Sequence, residues 1–262
     1  MVDYSTVAQG GDTRLGVRTV GSLVKIHAFP IQEVYPTEYT IAADTAIAED
    51  DETADLSADV DCWIEKGTYL YFEGTKVIVA AESKLVETTG TIIAIQPAAA
   101  AVDLGDEALT YGLITLPTTS IANGEEVGKV DAKTHAYGEQ GAQERVSRTF
   151  NATCQLNVSP GDRGYFYHAL PAALNKAGYN GTVNAAIAVP ASNGVGGYEF
   201  TFGTALVTID GDDLPLDEIR RPSLMLDFQS PWLKTTLYDA ESTAVKTAIT
   251  DSCKLAGFPL PV

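Results

Sequence analysis

Histidine, cysteine and basic side chains are scarce in this 262-residue chain. Its three histidines, His27, His135 and His168, have no HxH or HxxxH partner, so no zinc-ligand pair is spelled out. Its three cysteines, Cys62, Cys154 and Cys253, are an odd number at wide spacing, which gives neither a disulfide framework nor a metal knuckle. They are expected to be small buried hydrophobes. No Gly-x-Ser-x-Gly elbow, Walker loop or GxGxxG occurs, so the sequence signals no nucleophile, phosphate cradle or dinucleotide fold. The expectation is a protein that is not an enzyme and uses no cofactor or metal. No window holds the ~20 apolar residues of a membrane span. The opening Met1-Val2-Asp3-Tyr4-Ser5 has neither a basic region nor an apolar core of a signal peptide. A cytoplasmic start with no membrane partner follows as an expectation, and the sequons at Asn151, Asn157 and Asn180 then carry no glycan.

Positive charge is short as well: 17 Lys and Arg stand against 35 Asp and Glu, a net charge of −18. The excess is local. Between Asp44 and Thr119 there are 15 acidic and 3 basic residues, a balance of −12, and the rest of the chain carries −6. This acidity argues against a protein that grips nucleic acid by its phosphates, which needs clustered Lys and Arg. A surface past which DNA slides without sticking is compatible with this balance. Glu49-Asp50-Asp51-Glu52 lacks the Asp-x-Asp-x-Asp-Gly spacing and distal Glu of a calcium loop, so it reads as a solvated face.

The informative stretch is Val130 to Leu174. Val130 to Arg148 is polar, with Gly138 and Gly141 but no Pro, and is able to pair as a long hairpin. From Thr149 to Val158 the alternation is strict. Phe150, Ala152, Cys154, Leu156 and Val158 point one way, and Thr149, Asn151, Thr153, Gln155 and Asn157 the other. That predicts a half-buried strand with an uncharged polar outer face. Ser159-Pro160-Gly161-Asp162 predicts a helix start, with Ser159 as N-cap, Pro160 at the first position and Asp162 in the first turn. Phe166, Leu170, Ala173 and Leu174 would form its apolar face.

This run resembles the signature segment of the major tail tube proteins of long-tailed bacteriophages, a "VDVT.HDSGG..E" loop, a strand and a "DP.DAG" helix start. The matching residues are Val130, Asp131, Thr134, His135, Gly138, Gly141 and Glu144, then Ser159, Pro160, Asp162 and Gly164. Ser159 stands where the family often has Asp, and Tyr137-Gly138-Glu139-Gln140-Gly141 stretches the usual Ser-Gly-Gly. The resemblance implies a structural virion protein, assembled in the host cytoplasm as stacked homohexameric rings. The tube would meet the tape measure, tail terminator and baseplate or distal tail proteins, and genomic DNA would pass through its lumen without sequence-specific binding. Asp131, Thr134, His135, Tyr137, Gly138, Glu139, Gln140, Gly141 and Glu144 would belong to a hairpin that crosses to the adjacent ring. Thr149, Asn151, Thr153, Gln155 and Asn157 are the candidate lumen face.

The rest of the chain reads as mainly β. The expected architecture is a tail-tube β-sandwich or barrel with one flanking α-helix, an inserted small β domain and a C-terminal helix. Residues 1–34 and 120–238 would form the tube domain, 35–119 the acidic insertion and 239–262 a C-terminal extension. Short strands are predicted at Leu15–Val20, Leu23–Phe29, Thr68–Phe72, Lys76–Ala81 and Thr91–Ile95. Val183–Val189 and Tyr198–Asp210 follow, the second with a bulge at Gly203, where its apolar phase shifts. Asp210-Gly211-Asp212-Asp213 predicts a turn, and Leu224, Leu226 and Phe228 a last alternating strand. Asp239 is a candidate cap for a helix carrying Val245, Ala248, Ile249 and Cys253, stopped by Gly257. Two other functions fit an all-β chain without catalytic motifs. One is a capsid decoration or neck protein, which would lack the crossing hairpin. The other is a secreted carbohydrate-binding or adhesive module, which would need an export signal and an aromatic platform.

Overall fold

The computed structural model describes residues 23–30, 38–73, 75–132, 142–174, 179–190, 198–213, 221–229, 233–234 and 243–260. Leu15–Val20, Asp239 and residues 133–141 lie outside them. The chain is mainly β. In order come β1 (Leu23–Pro30), β2 (Tyr39–Ala43), β3 (Thr53–Ala58), β4 (Cys62–Ile64), β5 (Tyr69–Phe72), β6 (Thr75–Ile78), β7 (Ser83–Leu85) and β8 (Thr91–Ala94). Then come β9 (Glu107–Thr110), β10 (Ile114–Thr115), β11 (Thr118–Ala132) and β12 (Ala142–Leu156). A π-helical turn, Gly164–Ala169, runs into α1 (Leu170–Ala173), and β13 (Tyr179–Pro190), β14 (Tyr198–Asp213), β15 (Arg221–Phe228), β16 (Leu233–Lys234) and α2 (Thr243–Leu255) complete the chain.

The large sheet has the antiparallel order β10-β1-β13-β14-β15-β12-β11, with β16 added to β14. Its two end strands, β10 and β11, are separated in the chain by only Leu116 and Pro117. Leu116 N–H donates to the Val24 carbonyl and Asn157 N–H to that of Pro117, both at 2.8 Å, so this short link is tied to β1 on one side and to the end of β12 on the other. A sheet whose two ends are joined this closely has to roll up, and its strands share one interior. Val24 and Ile26 from β1, Val183, Ala185 and Ile187 from β13, and Leu224 and Leu226 from β15 meet Phe150, Ala152 and Cys154 from β12 there. The helical segment plugs the same core with Tyr165, Ala169 and Ala172.

That helical segment departs from expectation in two ways. Gly161 has φ +87°, which turns the chain after Pro160, and Asp162 N–H closes the turn on the Ser159 carbonyl at 3.1 Å. The cap is therefore Asp162 rather than Ser159. Its Oδ1 accepts the Tyr165 N–H at 2.7 Å, and its carbonyl takes the first helical bond from Phe166. The π turn also rotates the buried stripe. Tyr165, Ala169 and Ala172 are fully buried, Phe166, Leu170 and Ala173 are half-buried, and Leu174 is 58% exposed.

The predicted bulge at Gly203 is absent. Pairing between β13 and β14 runs without a shift from Thr182–Leu206 to Pro190–Tyr198. The apolar phase changes because the two ends of β14 are buried on opposite faces: Ala205 and Val207 inside the barrel, Phe200 and Phe202 outside it beneath α2. Nor does Asp210–Asp213 turn the chain. It continues β14, and the register against β15 shifts between Asp210 and Asp212.

Residues 39–110 close a second core of their own, around Ile41, Ile47, Leu56, Leu70, Phe72 and Leu85. A four-stranded sheet of order β8-β3-β2-β9 and two antiparallel pairs, β4-β7 and β5-β6, surround it. This unit carries an internal two-fold. The backbone bonds Ala43 N–H to Asp106 O and Gly105 N–H to Ala43 O recur as Ala98 N–H to Asp51 O and Asp50 N–H to Ala98 O. Ile47 and Val102 exchange both their bonds across the axis. In both halves an aspartate carboxylate caps its own turn: Asp51 accepts Ala48 N–H at 2.7 Å, and Asp106 accepts Asp103 N–H at 3.1 Å. The acidic run Glu49–Glu52 is thus part of one of two related turns, with Glu49, Asp50 and Glu52 exposed to solvent.

Candidate functional site

Two features of the barrel concern function: the bare outer face of β12 and its neighbours, and the arm those strands extend. On β12 the inward residues Phe150, Ala152, Cys154 and Leu156, and Val158 just beyond, are at most 4% exposed. Thr149 and Gln155 are exposed, and Asn151, Thr153 and Asn157 half-exposed. Register widens this face. Asn151 lies beside Asp227 on β15, Thr153 beside Met225, and Gln155 beside Ser223. Thr208 on β14 continues the Thr153 row, and Ser120, Ala122 and Gly124 flank it on β11. A Cβ on Gly124 would overlap the Asn151 carboxamide, which reaches across to that strand. Charge is sparse: among the described side chains of this face, Asp227 is the acid and Arg221, at the end of β15, the cation. Hydroxyls and amides keep such a surface wet without offering the clustered cations that hold phosphate.

β11 and β12 pair far beyond the rest of the sheet. β15 ends at Phe228, which opposes Phe150. From Glu126–Thr149 to Ala132–Ala142 the two strands have, among the described residues, only each other. These seven register pairs make an arm on the order of 20 Å long at the usual strand rise. A lone two-stranded ribbon is marginal in water, so an arm of this length is suited to a partner surface. Asp131 pairs with Gln143, and Glu144 with Val130, in its outer part. Thr134, His135, Tyr137, Gly138, Glu139, Gln140 and Gly141 lie outside the described residues. The helix-start residues Ser159, Pro160 and Asp162 sit beyond the other end of β12, away from the arm.

Sequence reasoning missed the polar groups where the barrel meets the insertion. Glu65 accepts both the Thr115 N–H at 2.9 Å and its hydroxyl at 2.5 Å, with Lys25 Nζ 4.0 Å away. Burial pushes the Lys25 ammonium below its ordinary pKa, and the Glu65 charge partly opposes this. Arg163 pairs with Glu82 and lies 3.2 Å over the Trp63 ring. The cleft between them encloses about 450 Å³. Glu65, Glu82, Asp162 and Arg163 on its walls are all engaged by protein partners. These pairs bring together residues far apart in sequence, and no local pattern announces them. Cys62, Cys154 and Cys253 are buried free thiols; burial holds those of Cys154 and Cys253 up to about 12. Among the described residues no three of His, Cys, Asp and Glu converge as a metal site would require. No described helix is long and apolar enough to cross a membrane.

No protein-family model matches the chain, and no curated protein matches it.

Proposed function

We propose that this chain is a structural virion protein that polymerises as stacked hexameric rings into a phage tail tube, the conduit for DNA ejection. The observation that carries the reading is the arm, a long two-stranded projection at the β11–β12 edge of the rolled sheet. Unpaired strand edges invite pairing with another copy, and ring closure is a way to satisfy them. The mostly polar face of β12 and β15 supports a lumen role, because among the described side chains DNA meets no cluster of cations there. The tape measure, tail terminator and baseplate proteins would be partners at the tube's ends.

The fold also supports an outward position for the insertion. In strand order β13 lies three places from β12, and β1 three places from β15, so the two pairs stand on opposite walls of the barrel. The insertion is fastened on the β1 side, through Lys25, Thr115 and Glu65. A segment of balance −12, repeated around each ring, is screened by water and salt outside a tube and crowded inside one.

The test is removal of Tyr137 to Ala142. The shortened protein is expected to keep its thermal unfolding transition and its ring-sized species, and to lose tube growth in sedimentation and microscopy. Tubes of normal length from the shortened chain would show that the arm is not the contact between rings.

A further inference from the structure

The C-terminal segment lies outside the barrel wall yet is among the best-buried parts of the chain. Ile249, Cys253, Ala256 and Phe258 pack on Ala186, Ala188, Phe200 and Phe202, the apolar outer patch of β13 and β14. Phe258 meets Phe200 edge-on at 5.6 Å, and Lys25 Nζ lies 5.1 Å from the Phe258 ring. The end of α2 is shaped for this. Gly257 has φ +70°, its N–H returns to the Lys254 carbonyl, and Phe258 N–H returns to that of Cys253. This left-handed stop folds Phe258 back against Cys253. The Cys253 thiol, kept protonated by burial, donates to the Pro259 carbonyl at 3.1 Å.

The same few residues bind the insertion through backbone carbonyls. Leu255 O accepts the Tyr111 N–H at 2.7 Å and the Thr110 hydroxyl at 3.2 Å. Gly257 O accepts the Tyr69 N–H at 3.0 Å, and Phe258 O the Tyr71 hydroxyl at 2.9 Å. Gly257 is pressed so close to Thr68 that a Cβ would lie 2.6 Å from its Cγ2. One side of the segment is thus apolar and faces the barrel, and the other offers hydrogen bonds to β5 and the end of β9.

We propose that residues 249–260 form a clasp, a docking segment seated in the groove between barrel and insertion, which fixes the angle between the two. Burial of Phe258 and Ile249 supplies the affinity, and the four hydrogen bonds supply the orientation. Without the clasp, Lys25–Glu65, Arg163–Glu82 and the stacking of Tyr111 on Phe202 at 4.9 Å still tie the insertion to the barrel, and these few side-chain contacts leave it free to rock. This holds whatever the assembled particle is.

The test uses the full chain with spin labels at two exposed sites, Val86 on the insertion and Tyr167 on the barrel's helical segment. The intact protein is expected to give one narrow distance distribution. Removal of residues 243–262 should broaden it while both cores keep their unfolding transitions, and an added peptide of residues 243–262 should restore the narrow peak. Tyr71→Phe removes one hydrogen bond without disturbing the apolar contacts and is expected to broaden the distribution partially. A distribution that stays narrow after truncation overturns the clasp. So does loss of both unfolding transitions, which would make the segment an inseparable part of the cores.

Discussion

The two halves of the barrel's outer surface are built from one continuous sheet and have opposite fates. On β12 and β15 the outward residues are Asn151, Thr153, Gln155, Ser223, Met225 and Asp227, and among the described residues no element packs over them. On β13 and the first half of β14 they are Ala186, Ala188, Phe200 and Phe202, and α2 covers them. The interior is equally dry behind both. What separates the halves is therefore the outer stripe alone: an apolar stripe acquires a covering layer from its own chain, and a mostly polar stripe stays open. β14 belongs to both halves, which is why its apolar phase switches without any irregularity in pairing.

The sharpest way to break this comparison is to truncate one side chain on each half. Phe200→Ala, under α2, is expected to cost about 3–5 kcal/mol, as for other buried aromatics. Thr153→Ala, on the open half, should stay within about 0.5 kcal/mol. Chemical denaturation of the two variants decides it, and equal losses would mean that the open face is covered after all. A smaller effect separates the two candidate helix caps. Asp162→Ala should lose roughly 1 kcal/mol, and Ser159→Ala less than about 0.5 kcal/mol. The reverse order would restore the helix start that Ser-Pro suggests.

The smallest effect concerns Lys25, on the covered half. Glu65 keeps its two bonds from Thr115 without it, so Lys25→Met is expected to be neutral or stabilising by about 1 kcal/mol, because a buried ammonium is costly. The sign follows from the lowered pKa. The folded state binds fewer protons than the unfolded one between the depressed value and 10.5, so the wild type gains stability as pH rises through that window. The gap between variant and wild type should shrink toward pH 10.5 in parallel thermal scans. A variant that is much less stable at neutral pH would mean that Lys25 is needed where it is.

Alternation was the legible part of the sequence. It picked out β12, β15 and most of β13, because large or β-branched apolar residues alternate there with polar ones. It passed over β2, β3 and β9, whose inward residues include Ala43, Ala54, Ala58 and Ala108, too small to stand out among acidic neighbours. The helix start was misplaced because Ser-Pro is a good opening for a helix in isolation, and only the left-handed Gly161 after it defers the first turn. The polar face was readable as a stripe. Its neighbours on β14 and β11, and the clasp that covers the opposite half, depend on pairings between distant segments.

Electron microscopy of the concentrated protein, alone and with a tail initiation complex, tests the tube most directly. The expected result is hollow tubes of stacked six-fold rings, reconstructed with Thr153 and Asn151 toward the lumen and Glu49–Glu52 on the outer surface. A protein that stays monomeric under both conditions contradicts the assembly. Tubes that carry the acidic turn inside, and the β12 face outside, contradict the proposed lumen role of the open half.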